Sequence, residues 1–250
     1  VQAKKTFGMF LFCLLPLTSA QATITLPKYS QENDRLALNH EYFRQNPAAD
    51  FWALIPYYVP ERNNASCSLA TAVMVVNAAR AEQTLHAADG LATQKDLLAK
   101  LKNKTMEQKL SDTGHGIDLE GLAKLVQSSF DIYGIKGARV TVVHVDQNEK
   151  ETQKKIHRAL IENEKSARNF MLVNYLQSTF TGDPEGAVGQ IAPVGAYDEK
   201  KKRVLILDPD RDWYEPYWVS EETLVAGMNT KNADVNQNRG YVWVELPALK

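Results

Sequence analysis

Residues 189–219 read GQIAPVGAYDEKKKRVLILDPDRDWYEPYWV. Two short apolar runs, QIAPVGAY at 190–197 and RVLILD at 203–208, are rich in the residues that suit a pleated, half-buried surface. DEKKKR at 198–203 joins them with a charged link of hairpin length, which predicts two neighbouring antiparallel strands. Outward from this hairpin, ARVTVVHV (138–145), FMLVNYL (170–176) and YVWVEL (241–246) have the same strand-like character. A predicted helix over 149–165, with Ile156 and Leu160 on one face, interrupts the series.

The first half of the chain has a different period. Leu69, Ala72, Val73 and Val76 follow the spacing of one helical face within 66–80, and Asn63, Asn64 and Ser66 are N-cap candidates for it. Residues 93–110 and 118–129 also predict helices. A helical lobe over about 35–130 and a mostly antiparallel β lobe over about 138–247 make the chain α+β.

Residues 1–22 are set apart from this body. Lys4 and Lys5 precede the apolar run Phe7 to Leu17, and Thr18-Ser19-Ala20-Gln21-Ala22 follows it, the pattern of a secretory signal peptide. The apolar run is too short to span a bilayer, and no second run is long enough. The expectation is a periplasmic or secreted protein over 23–250, with no membrane attachment after cleavage. The 250-residue chain has 29 basic and 30 acidic side chains spread along its length, which gives no footprint for nucleic acid.

Of the two cysteines, Cys13 lies in the leader-like segment and Cys67 in the body. A lone thiol in an oxidising compartment calls for a reason. In the first turn of a helix it meets unpaired N–H groups and the positive end of the dipole, which favour a thiolate and make Cys67 a candidate nucleophile. Its partner base is not set by spacing: His40, His86, His115, His144 and His157 are available, and His115 lies in the glycine-flanked loop DTGHGIDLE. There is no CxxC, HExxH or calcium-loop pattern, so no protein-bound metal is predicted.

Several of these stretches resemble, in order, the phytochelatin synthases, papain-like cysteine enzymes that transfer γ-glutamylcysteine between glutathione molecules. ASCSLATAVMVVNA is similar to that family's nucleophile helix, GIDLEGLAKLV to the helix after it, and FMLVNYLQ to its strand ending in Val-Asn-Tyr-Leu-Arg. Residues 189–219 are similar to its Gly-His-(Ile/Phe)-Ser-Pro, Leu-Asp-x-x-Arg, Tyr-x-Pro and Trp-Val series, and GMNT and RGYVWV follow in place. The resemblance implies a papain-like fold of the short bacterial type.

It also implies roles, position by position. Cys67 takes the nucleophile's place and Asp208 that of the carboxylate that orients the base. Arg211 and Tyr214 fall where substrate is bound, the guanidinium suiting a carboxylate. Gln190 stands where the family keeps its histidine; an amide accepts and donates hydrogen bonds but does not carry a proton. Glu61 stands where the family has an oxyanion-hole glutamine, and Ser68 replaces the glycine after the nucleophile. The implied substrates are glutathione or γ-glutamyl peptides, with cadmium or zinc entering as a glutathione thiolate rather than as a resident cofactor, and a homodimer is compatible with the family. Three readings remain open: a γ-glutamylcysteinyltransferase or glutathione hydrolase, a binder without turnover, and another papain-like peptidase using a different histidine such as His115.

Overall fold

The computed structural model describes residues 28–29, 33–81, 83–145 and 149–247. The leader-like segment, Cys13 included, lies outside them. Helices α1 (Tyr42–Gln45), α2 (Ala49–Leu54), α3 (Cys67–Arg80), α4 (Gln94–Leu101), α5 (Lys104–Lys109) and α6 (Leu119–Ile132) precede most of the sheet. Helices α7 (Glu149–Glu164), α8 (Gln177–Thr181) and α9 (Glu221–Met228) are interleaved with it. The strands are β1 (Asp34–Arg35), β2 (Arg139–His144), β3 (Asn169–Leu176), β4 (Gly189–Asp198), β5 (Arg203–Ile206), β6 (Tyr217–Ser220), β7 (Lys231–Asn232), β8 (Gln237–Asn238) and β9 (Gly240–Glu245).

Seven strands form one antiparallel sheet in the order β1-β6-β5-β4-β3-β9-β2. The mixed helical and antiparallel organisation is α+β. Period-2 alternation sends Phe170 and Leu172 of β3 to one face and Met171, Val173 and Tyr175 to the other. The first face packs on α2, α3 and α6; the second is covered by Ile156 and Leu160 of α7 and by Leu224, Val225 and Met228 of α9. Burial on both faces explains why β3 and β4 read as continuous apolar runs.

Helix α3 differs from its sequence pattern. The predicted face Leu69, Ala72, Val73, Val76 is buried, but so is every other residue from Cys67 to Ala78. The sheet covers one side while α4 and α6 cover others, so the helix is core all round. Two of its interior polar side chains are matched, Thr71 Oγ1 donating to the Ile191 carbonyl at 3.1 Å and Asn77 Nδ2 to the Ala92 carbonyl at 3.0 Å, whereas the buried Ser68 hydroxyl has no hydrogen-bond partner. The single helix predicted over 93–110 is two, because Lys102 takes the left-handed conformation (φ 49°) and Asn103 then caps α5 through the Met106 N–H. Among the described residues, no helix is long and apolar enough to cross a membrane.

Candidate active site

Cys67 opens α3. Ser66 holds the N-cap position, but its hydroxyl turns back into the preceding loop, accepting from the N–H groups of Arg62 (2.9 Å) and Asn63 (3.0 Å) and donating to the Asn63 carbonyl (2.9 Å). The Leu69 N–H is taken by the Ser66 carbonyl at 3.0 Å, while the backbone of Ser68, and that of Ile191 in β4, hydrogen-bonds to Cys67.

The helix start does not make Cys67 an acidic thiol. Burial pushes the thiol well above its ordinary range, the Glu61 carboxylate adds to the shift, and Asp208 contributes further. The two backbone hydrogen bonds oppose these effects without overcoming them. The dipole argument from sequence therefore loses to desolvation and neighbouring negative charge.

Gln190, on β4, donates from Nε2 to Asp208 Oδ1 at 3.0 Å. Asp208 is fully buried two residues past β5 and is surrounded by donors. Its Oδ1 also accepts the Asp210 N–H at 3.0 Å; its Oδ2 accepts the Tyr175 and Tyr217 hydroxyls, each at 2.8 Å, and Gln177 Nε2 at 3.4 Å. Such a carboxylate is fixed in place from five elements or loops, as an orienting group needs to be.

Glu61 lies beside Gln190, which acts on it as a hydrogen-bond partner. Its backbone N–H donates to the Pro209 carbonyl at 2.8 Å, tying its loop to the residue after Asp208. Burial first, then the charges of Asp210 and Asp208, push its carboxyl up to about 8. At neutral pH Glu61 is therefore mostly a neutral acid.

A cavity of about 100 Å³ opens at Cys67, lined also by Asn64, His115, Asn174, Asp234 and Arg239 among others. Arg239 donates to Thr230 Oγ1 (3.0 Å) and to the Lys231 carbonyl (2.7 Å), while its buried Nε has no partner. His115 is the histidine that lines this cavity; its loop reaches the site because Gly116 rests near the Ala65 carbonyl with a positive φ. His144 instead pairs with Glu120 at 2.7 Å, and His157 with Glu221 at 3.0 Å.

Of the residues named from sequence, Cys67, Gln190, Asp208 and Glu61 converge on one place. Arg211 and Tyr214 do not line the cavity: Arg211 sits over the Tyr58 ring at 4.9 Å, and buried Tyr214 donates to Asp183 Oδ2 at 3.1 Å. Sequence reasoning missed the donors Tyr175, Tyr217 and Gln177, although Tyr175 and Gln177 belong to the quoted VNYLQ run. It also gave no role to Arg239, which stands in the quoted RGY run. Among the described residues, no group of three or more His, Cys, Asp or Glu is placed to hold a metal ion.

Over 72 residues, 29% of this chain and 14% of the relative, the sequence is 35% identical to "Glutathione gamma-glutamylcysteinyltransferase 3" of Lotus japonicus. It is 34% identical over 59 residues, 24% of this chain and 12% of the relative, to "Glutathione gamma-glutamylcysteinyltransferase 1" of the same plant. It is 27% identical over 77 residues, 31% of this chain and 15% of the relative, to "Glutathione gamma-glutamylcysteinyltransferase 1" of Arabidopsis thaliana. The chain thus spans a small fraction of the length of the curated relatives it matches. The family model described as phytochelatin synthase, by contrast, matches residues 24–241. The chain belongs to the phytochelatin synthase family.

Proposed function

We propose that the protein acts on glutathione or a γ-glutamyl peptide through an acyl intermediate on Cys67, in a papain-like arrangement. The observation that carries this reading is the position of Cys67, at a helix start, near the Gln190–Asp208 pair and lining the cavity. Asp234 and Arg239 give that cavity charges of both signs, which suits the amino and carboxylate groups of an α-amino acid end. Its volume admits one end of a peptide rather than the whole of it.

In the reaction, Cys67 Sγ bonds to the carbonyl carbon of the Cys–Gly amide. The C–N bond then breaks, and the nitrogen leaves as glycine after gaining the thiol proton. Water or the amine of a second glutathione next takes the acyl group, and the S–C bond breaks as Sγ regains a proton. A cadmium or zinc ion enters, on this reading, as a glutathione thiolate and therefore as part of the substrate. With the export pattern of residues 1–22, the reaction belongs in the periplasm or outside the cell.

The test is incubation of the protein with glutathione, with and without cadmium or zinc, followed by mass spectrometry. An adduct on Cys67 together with released glycine, both lost in Cys67→Ser, supports the reading. A second reading has its own observation, since Gln190 occupies the base position and the Cys67 thiol is pushed up. It is a site that binds glutathione or its metal thiolate without turnover. Saturable binding of glutathione with neither adduct nor glycine decides for it.

A further inference from the structure

Cys67 and Thr71 lie four residues apart on α3, so their side chains stand one above the other on the same face. Thr71 is fully buried, and its hydroxyl crosses to β4, donating to the Ile191 carbonyl at 3.1 Å instead of returning to a carbonyl of its own helix. We propose that Thr71 is a positioning residue for the nucleophile: it holds Ile191 of β4 against α3, so that the Ile191 N–H stays on Cys67 Sγ and stabilises the thiolate that attacks. This rests on Cys67 being the nucleophile and not on glutathione being the substrate.

The register of the sheet explains why these backbone groups are open to a helix. Along one edge β4 pairs with β3, Asn174 standing opposite Ile191. Along the other edge the β5 register runs from Val194 onward, and the Leu207 N–H reaches the Pro193 carbonyl at 3.1 Å. An antiparallel residue turns its N–H and its C=O to one edge together, and residues two apart turn to the same edge. Ile191 therefore faces the way Pro193 does, beyond the β5 pairing. At that edge α3 stands in for the missing strand: Thr71 takes the Ile191 carbonyl and Cys67 takes its N–H. Cys67 and Ile191 also line one cavity, so this contact forms part of its wall.

Two contacts to one residue fix it better than either alone. The Thr71 bond sets how far β4 stands from α3 at Ile191, and the N–H of the same residue is thereby aimed at the sulfur. A hydrogen bond to an anion is shorter and stronger than one to a neutral acceptor, so this N–H gains most when Sγ is charged. It works against burial and against Glu61 and Asp208, which disfavour the thiolate. No proton or electron pair moves through Thr71; its hydroxyl acts only on where the Ile191 N–H stands.

The experiment is alkylation of Cys67 by iodoacetamide in the full chain, followed at the Cys67 peptide by mass spectrometry from about pH 7 to about pH 10, where the rate follows the thiolate fraction. Urea unfolding is the check on folding. Thr71→Val is expected to lower the rate roughly threefold or more across that range, since the lost thiolate fraction outweighs the gain in intrinsic nucleophilicity. Thr71→Ser, which keeps the hydroxyl, is expected to stay close to wild type. If Thr71→Val does not fold, Thr71→Ala, which removes the hydroxyl without setting a methyl group in its place, is read instead. A folded variant without the hydroxyl that is alkylated as fast as wild type or faster overturns the proposal, because the bond then only holds the fold together. Equal slowing in Thr71→Ser also overturns it, because packing of the methyl group then sets the rate. Slowing confined to the variants without a hydroxyl supports it even where glutathione yields no glycine, so the two readings fail separately.

Discussion

Gln190 Nε2 donates to Asp208 Oδ1 at 3.0 Å, which places an amide at the end of a carboxylate held by four further donors. The carboxylate is buried and held on both oxygens, with an amide where the family resemblance puts a histidine. Replacing Gln190 by histidine should therefore find its orienting partner already assembled. We expect Gln190→His to raise acylation of Cys67 by roughly 100-fold to 10,000-fold, read as the burst with a small ester or as glycine released from glutathione. No gain would show that the space between Cys67 and Asp208 is not shaped for a base.

The donor shell of Asp208 also predicts its part in stability. In Asp208→Asn one carboxylate oxygen becomes an NH₂ facing groups that are themselves donors. The Tyr175 and Tyr217 hydroxyls then lose a charged acceptor inside the core. A loss of about 1–3 kcal/mol is expected in urea unfolding. An unchanged midpoint would mean that the shell relaxes without penalty.

Glu61 predicts a pH-dependent stability of definite sign. Its carboxyl is raised from 4.5 to about 8, first by burial and then by Asp210 and Asp208. Between those values the folded protein keeps a proton that the unfolded chain has released, so stability falls as pH rises from about 5 through about 8. Glu61→Gln carries no titrating proton and should show a flatter profile over the same window. Equal slopes in urea midpoints across pH would contradict the placement of Glu61 in a dry, negatively charged setting.

Gly189 predicts a specific effect on binding. A Cβ at this position would stand 3.0 Å from Arg239 Nη2 and 3.4 Å from its Nε. Gly189→Ala should therefore push the guanidinium away from the cavity. The expected result is weaker glutathione binding by roughly tenfold, about 1.4 kcal/mol, with the thermal midpoint nearly unchanged. Calorimetric titration of the Cys67→Ser background separates this from any effect on chemistry.

Much of the sheet was legible because local rules and tertiary demands agree there. The charged DEKKKR link sits at the end of β4 and the start of β5, and the strand-like runs fall within a residue or two of the observed strands. Helix α3 was legible as a helix but not in its surroundings. An apolar pattern shows which residues avoid water, and only the neighbours α4, α6 and β4 show that no face is left for it. The break at Lys102 was hidden because a lysine, rather than glycine, takes the left-handed turn.

The site was legible in its linear motifs and opaque in its electrostatics. Cys67, Gln190 and Asp208 come from recognisable runs. The sign of the thiol shift depends on Glu61 and on depth, and neither can be read from spacing. His115 shares the cavity only because its loop lies against the residues before α3, a contact between segments some fifty positions apart.

Helix α3 has no solvent face from Cys67 to Ala78, and this ties the backbone that carries the thiol to the whole domain. Amide hydrogens in its middle, at Met74 to Val76, exchange only when the domain opens globally. The backbone beneath Cys67 therefore does not fray on its own. Cys67 lines a cavity of about 100 Å³, which has room for a small reagent but not for the thiol of another folded protein. Depth in the fold, with no partner cysteine among the described residues, is what shields this thiol from capture by another protein.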